Sequence, residues 1–123
     1  MNDRFELKRS YRFEAAHFLP RVGEKHPCRR VHGHSYLVTI AVTGEADQDS
    51  GWVIDFGSID ECVQPICSRL DHRLLNEVDG LENPTSEMLA EWLWGQLVSH
   101  LPGLSEISIS ETPDSICTLR STP

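Results

Sequence analysis

His32 and His34 flank a single glycine in the run Cys28-Arg29-Arg30-Val31-His32-Gly33-His34. On a strand, residues two apart project to the same face, so the two imidazoles stand side by side. They share parity with Tyr36, Val38, Ile40 and Val42, an apolar row with the spacing of a buried strand face. His17 continues a second row of one parity, Phe5, Leu7, Tyr11, Phe13 and Ala15. Burying three uncharged imidazoles is costly unless something organises them. A zinc ion does this, because imidazole nitrogen suits it and three protein ligands leave a fourth position for water or a substrate oxygen. The bland alternative is a polar strand end with solvated histidines. A third histidine on matching parity favours the metal, expected as one zinc per subunit held by His17, His32 and His34.

Other side chains nearby suit proton transfer. Cys28 lies four residues before His32 among basic neighbours, which favour a thiolate able to act as base or nucleophile; the alternative is an inert, half-buried thiol. Asp71-His72 pairs a carboxylate with an imidazole, the arrangement that orients a proton-transferring histidine, unless the two point apart as a helix-end aspartate and a surface histidine. Glu111 ends the row Ile107, Ile109, Glu111. A carboxylate at the inner end of a strand needs donors, which a ligand with adjacent N–H groups supplies; otherwise it is a rim residue. Cys62 and Cys67 read as core packing, Cys117 carries no assigned chemistry, and His26 and His100 read as surface residues.

These groups need elements to hold them. The period-two rows predict a strand from Phe5 to His17 and another from about His32 to Glu45. After the turn Asp47-Gln48-Asp49-Ser50-Gly51, Trp52 to Phe56 reads as a third strand. Ser58-Ile59-Asp60-Glu61 has the form of a capping box, predicting a helix from about Ile59 to Leu70, bent or weakened at Pro65. A second helix opens at Asn83-Pro84-Thr85 and carries the stripe Leu89, Trp92, Leu93, Gln96, Leu97 before Pro102-Gly103. Ile107 to Glu111 and Ile116 to Leu119 read as closing strands. The order predicts an α+β sandwich with an antiparallel sheet.

Composition bounds the function. With 123 residues, 39% apolar and 24% charged, the chain is expected to be one globular domain over residues 1–123. A net charge of −8 argues against nucleic acid or anionic membrane as partner. Yet four of the 11 basic residues, Arg21, Lys25, Arg29 and Arg30, crowd one loop, which suits a small anionic ligand. No pair of the four cysteines is spaced Cys-x-x-Cys. The charged opening from Met1 to Ser10 lacks an apolar stretch, and no run of about 18 apolar residues exists. A cytoplasmic location is expected.

Taken in order, Phe13-Glu14-Ala15-Ala16-His17, the run from Cys28 to His34, Gly51-Trp52-Val53-Ile54-Asp55-Phe56, Leu70-Asp71-His72, Leu81-Glu82-Asn83-Pro84-Thr85-Ser86-Glu87 and Glu111-Thr112 resemble the 6-pyruvoyltetrahydropterin synthase/6-carboxytetrahydropterin synthase family over nearly the whole chain. The three residues between Cys28 and His32, and the run Leu81 to Glu87, are most similar to bacterial enzymes of the queuosine pathway. The resemblance implies a tunnelling fold (T-fold) with two helices on one sheet face and strands closing into an oligomeric barrel, as a homohexamer made of two trimers. It implies zinc on His17, His32 and His34, catalysis by Cys28, Asp71 and His72, and a pterin pocket at Glu111, Thr85 and Ser86. The implied reaction converts 7,8-dihydroneopterin triphosphate to 6-carboxy-5,6,7,8-tetrahydropterin with release of acetaldehyde and triphosphate, the basic loop holding the phosphates. On this reading the pterin ring and the metal lie at opposite ends of the substrate. The alternatives are pyruvoyl synthase activity on the same substrate and a non-catalytic zinc- or pterin-binding protein.

Overall fold

The computed structural model describes residues 4–122; Met1–Asp3 of the charged opening and Pro123 lie outside that range. Strands β1 (Phe5–His17) and β2 (His32–Gly44) are joined by a loop with a short 3-10 turn, Pro27–Arg29. Helix α1 (Phe56–Leu70), the two-residue strand β3 (Arg73–Leu74) and a second 3-10 turn, Leu75–Glu77, follow. Helix α2 (Ser86–Leu97) then leads to β4 (Leu104–Thr112) and β5 (Ser115–Arg120). The sheet order is β3-β1-β2-β4-β5. The expected sheet was purely antiparallel, but β3 runs parallel to β1 (Ala15↔Arg73, Ala16↔Leu74), so the sheet is mixed. Two residues with no alternation give no strand signal in the sequence.

The helices lie on one face. Tyr36, Val38 and Ile40 of β2 and Ile107 and Ile109 of β4 pack with Ile59, Val63 and Leu70 of α1 and Leu89 and Leu93 of α2 in one buried cluster. Each such aliphatic side chain contributes roughly 1.5–3 kcal/mol, so the cluster fixes the helices, and with them the residues at their ends. Asp60 ties α1 to β1: Arg9 donates to both its carboxylate oxygens at 3.0 Å, and the Tyr11 hydroxyl donates at 2.6 Å. Among the described residues no helix is long and apolar enough to cross a membrane.

Three boundary expectations are corrected. Trp52–Phe56 forms no strand. The neighbours Val53 and Ile54 are both half-buried, so one-face alternation is missing, and both pack on the core as a lead into α1. The capping box at Ser58 is not the cap. Asp55 is, accepting from the Gly57 amide, and α1 starts three residues earlier than expected. Pro65 does not end the helix. It lies on the exposed side, where water can meet the carbonyl it leaves free. The buried row of β1 also begins only at Tyr11; Phe5 is exposed.

Gly103 enters β4 with φ 84°, and its carbonyl accepts from the Thr43 amide. An added Cβ would collide with the Thr43 carbonyl oxygen. Gly103→Ala should therefore cost at least about 2 kcal/mol in denaturant unfolding. Gly95→Ala, in α2 with nothing near its Cβ position, should gain roughly 0.5–1 kcal/mol. Equal stabilities would refute the assigned conformations.

Candidate metal centre and pterin pocket

β1 and β2 pair in a register that sets His17 opposite His32 and Ala15 opposite His34. His17 ends β1 and His32 begins β2, so three imidazoles gather at one end of the helix-facing side. Their ring centroids are 4.5–5.1 Å apart, and one ligand atom from each lies within 4.8 Å of the others.

Backbone carbonyls set two of the tautomers. His17 Nδ1 is 2.8 Å from the Pro84 carbonyl oxygen, and His32 Nδ1 is 2.7 Å from that of Arg30. A carbonyl only accepts, so each Nδ1 carries the proton and donates, leaving Nε2 with a free lone pair. Burial pushes the His17 pKa down, favouring the neutral form that ligates a metal. Nε2 of His17 and of His34 are both buried and without a hydrogen-bond partner. Leaving such atoms unsatisfied costs about 1–3 kcal/mol each. A divalent ion between them offsets that cost, so this donor set fits a metal.

Glu111 stands next to the triad. The β2–β4 pairing stops at Leu37↔Ser110, and the β4–β5 register shifts between Ser110 and Thr112, leaving Glu111 in the irregularity. Such a bulge re-aims a side chain. Its carboxylate oxygens lie 3.7 Å from His34 Nε2 and 3.9 Å from His17 Nε2. This corrects the expectation that the Glu111 end of the pocket lies remote from the metal. Ser86 Oγ donates to Glu111 Oε2 at 3.0 Å, while Thr85 Oγ1 caps α2 by accepting from the Met88 amide. Pro84, Thr85 and Ser86 thus serve, in order, His17, the helix and Glu111.

Asp71 and His72 do form a pair, Oδ2 to Nδ1 at 2.9 Å. Asp71 Oδ1 also accepts from the Glu14 amide at 2.8 Å, and that bond, then the His72 contact, hold its carboxyl below the usual carboxylate range. His72 takes φ 61° and donates its own amide to the Glu14 carbonyl, which turns the exposed imidazole back over Asp71. Of the pair, His72 alone borders a cavity of about 530 Å³, shared with Glu14, His34, Ser35 and Arg73. No hydrogen bond links the pair to the triad among the described residues.

Cys28 is half-buried in the Pro27–Arg29 turn, its amide donating to His26 Nδ1 and its carbonyl accepting from the Leu19 amide. Its thiol makes no hydrogen bond to the triad, the pair or Glu111 among the described residues. The basic loop is partly engaged already: Arg29 donates to the Val22 carbonyl, and Arg21 borders a hollow with Glu82 and Glu91. Two contributors escaped the sequence reading. Pro84 acts through its carbonyl, which no side-chain pattern reveals. Tyr36, whose hydroxyl lies 3.3 Å from His17 Nδ1, was visible only as the next residue in the His32, His34 row.

The 6-pyruvoyl tetrahydropterin synthase family model matches residues 6–122. A 6-carboxy-5,6,7,8-tetrahydropterin synthase of Bacillus subtilis is 33% identical, with 94% of this chain and 85% of the relative covered. One from Synechocystis sp. is 37% identical over 86% of this chain and 85% of its own. The solved structure of Caenorhabditis elegans 6-pyruvoyl tetrahydropterin synthase superposes with a TM-score of 0.88 at 26% identity, covering 99% of both chains. The subunit fold is the one expected of that group.

Replacing His32 or His34 by alanine should drop the bound divalent metal from about one per chain to well below half, measured by elemental analysis after dialysis. Full occupancy in both variants would sink the triad as the metal site.

Proposed function

This chain belongs to the 6-pyruvoyl tetrahydropterin synthase family, and from that premise we propose that it is a zinc-dependent lyase of the 6-carboxytetrahydropterin branch. Its substrates are 7,8-dihydroneopterin triphosphate and one water, and its products are 6-carboxy-5,6,7,8-tetrahydropterin, acetaldehyde and triphosphate, as in the bacterial queuosine pathway. The observation that carries the reading is the triad: two tautomers fixed by carbonyls and two buried Nε2 atoms without partners.

Zinc, when bound by His17, His32 and His34, supplies Lewis acidity that polarises the substrate side-chain oxygens and acidifies the adjacent C–H. Cys28 takes that proton as thiolate and returns it. Asp71 holds the His72 imidazole by its Nδ1 proton, leaving Nε2 for a second transfer. Glu111 accepts from the 2-amino and ring N–H groups of the pterin, with Ser86 holding one of its oxygens and Thr85 shaping the pocket through the α2 cap.

Because no hydrogen bond links the Asp71–His72 pair to the triad among the described residues, a complete site is best supplied by neighbouring copies. Trimeric barrels paired into hexamers would also close the edges at β3 and β5. The pyruvoyl synthase reading keeps a specific support, the C. elegans structure, and differs only in leaving the side chain uncleaved.

Mass spectrometry of products from zinc-loaded protein and dihydroneopterin triphosphate distinguishes the two. The carboxy product with acetaldehyde is expected, and a pyruvoyl product would transfer the chain to the other branch. Cys28→Ala should retain zinc and fold while kcat falls by about 10²–10⁴. Near-normal turnover would exclude the thiolate as the base.

A further inference from the structure

We propose that Asn76 is a positioning residue for the proton transfer assigned to Cys28, a clamp that fixes the thiol-bearing loop against the triad residue His17. The inference rests on the reading of Cys28 as the base.

The pairing of β1 with β2 stops at His17↔His32, and that with β3 at Ala16↔Leu74. Asn76, in the 3-10 turn after β3, takes up the residue that follows β1. Its Oδ1 accepts from the Phe18 amide at 3.0 Å, and its Nδ2 donates to the Phe18 carbonyl at 2.8 Å. One donor and one acceptor on the same residue leave a single orientation for the carboxamide. The second Nδ2 proton meets the Glu82 carbonyl at 3.4 Å, two residues before Pro84, whose carbonyl holds His17.

What the clamp controls follows from the neighbours of Phe18. On one side stands His17, a member of the triad. On the other stands Leu19, whose amide donates to the Cys28 carbonyl at 2.8 Å. Further bonds tie the loop to itself: His26 Nδ1 accepts from the Cys28 amide, and Arg29 donates to the Val22 carbonyl. Among the described residues, every hydrogen bond from residues 18–31 to a segment outside the β1–β2 hairpin runs to Asn76. Leu75, fully buried, anchors the turn in the core and makes Asn76 a fixed point. Without the clamp the loop keeps its internal bonds but shifts as a unit, carrying the Cys28 thiol relative to the triad. A displacement of about 1 Å in a reacting group is enough to cost a factor of about a hundred in rate.

Asn76→Asp keeps the shape and one acceptor oxygen but removes both donated bonds, and Asn76→Ala removes the clamp outright. Gly103→Ala, which strains the chain beside Thr43 at the opposite end of β2, is the control for lost stability alone. All are measured well below their unfolding midpoints. Both Asn76 variants should lose at least about tenfold in kcat on dihydroneopterin triphosphate, with KM within about threefold of wild type. In metal-free protein the clamp is read directly by iodoacetamide, with the modified cysteine identified by peptide mass spectrometry. Alkylation of the half-buried Cys28 should quicken at least about threefold in both variants as the loop loosens, and not in Gly103→Ala. Wild-type kcat, or wild-type Cys28 alkylation, in Asn76→Asp overturns the proposal. So does an Asn76→Ala whose losses Gly103→Ala reproduces, which would reduce the side chain to a support of the fold. Wild type that turns over no dihydroneopterin triphosphate overturns the reaction itself, a failure distinct from unchanged alkylation, which overturns the clamp.

Discussion

A slip of one residue between β1 and β2 would turn every side chain of one strand to the opposite face. The register that sets His17 opposite His32 is therefore the constraint on which the candidate site depends. It is held by burial rather than by the histidines themselves. Phe13 stacks on Tyr36 with ring centroids 5.1 Å apart, and Tyr11 lies opposite Val38. These pairs lose their buried face on a slip, at roughly 1.5–3 kcal/mol for each large side chain. The core sets where the imidazoles stand, and the carbonyls of Arg30 and Pro84 set which nitrogen each presents.

Those two carbonyls come from different places in the chain. Arg30 is local, two residues before His32. Pro84 arrives from the segment before α2, and its position follows from Leu89, Ala90, Leu93 and Leu97 holding that helix in the core against β4 and β5. One docking event thus orients His17 through Pro84 and Glu111 through Ser86. The short connection couples core packing to site geometry, and a destabilised α2 would loosen His17 and Glu111 together.

Much of this was legible from parity. The two rows of alternating apolar residues place both long strands and bring His17, His32 and His34 to one face. Helix α2 was legible from its stripe, but it opens at Ser86 with Thr85 as its cap, so Pro84 precedes the helix instead of sitting in its first turn. What stayed hidden depends on tertiary context. Trp52–Phe56 has strand-forming residues, but both sheet edges are taken by β3 and β5, and Asp55 commits the segment to a helix cap. Glu111 follows the parity of Ile107 and Ile109, yet a bulge, not simple alternation, brings it within 4 Å of two imidazoles. The contact between Asp71 and His72 needs a left-handed backbone at His72, held by Glu14, which adjacency in sequence does not announce.

X-ray absorption at the zinc edge of the substrate-free protein tests the central assignment most directly. Three imidazole nitrogens and one oxygen, all at about 2.0–2.2 Å, with the multiple scattering of histidine rings, is the predicted shell. A sulfur scatterer at about 2.3 Å would make Cys28 a ligand rather than a base, and a shell of oxygens alone would remove the metal from the triad.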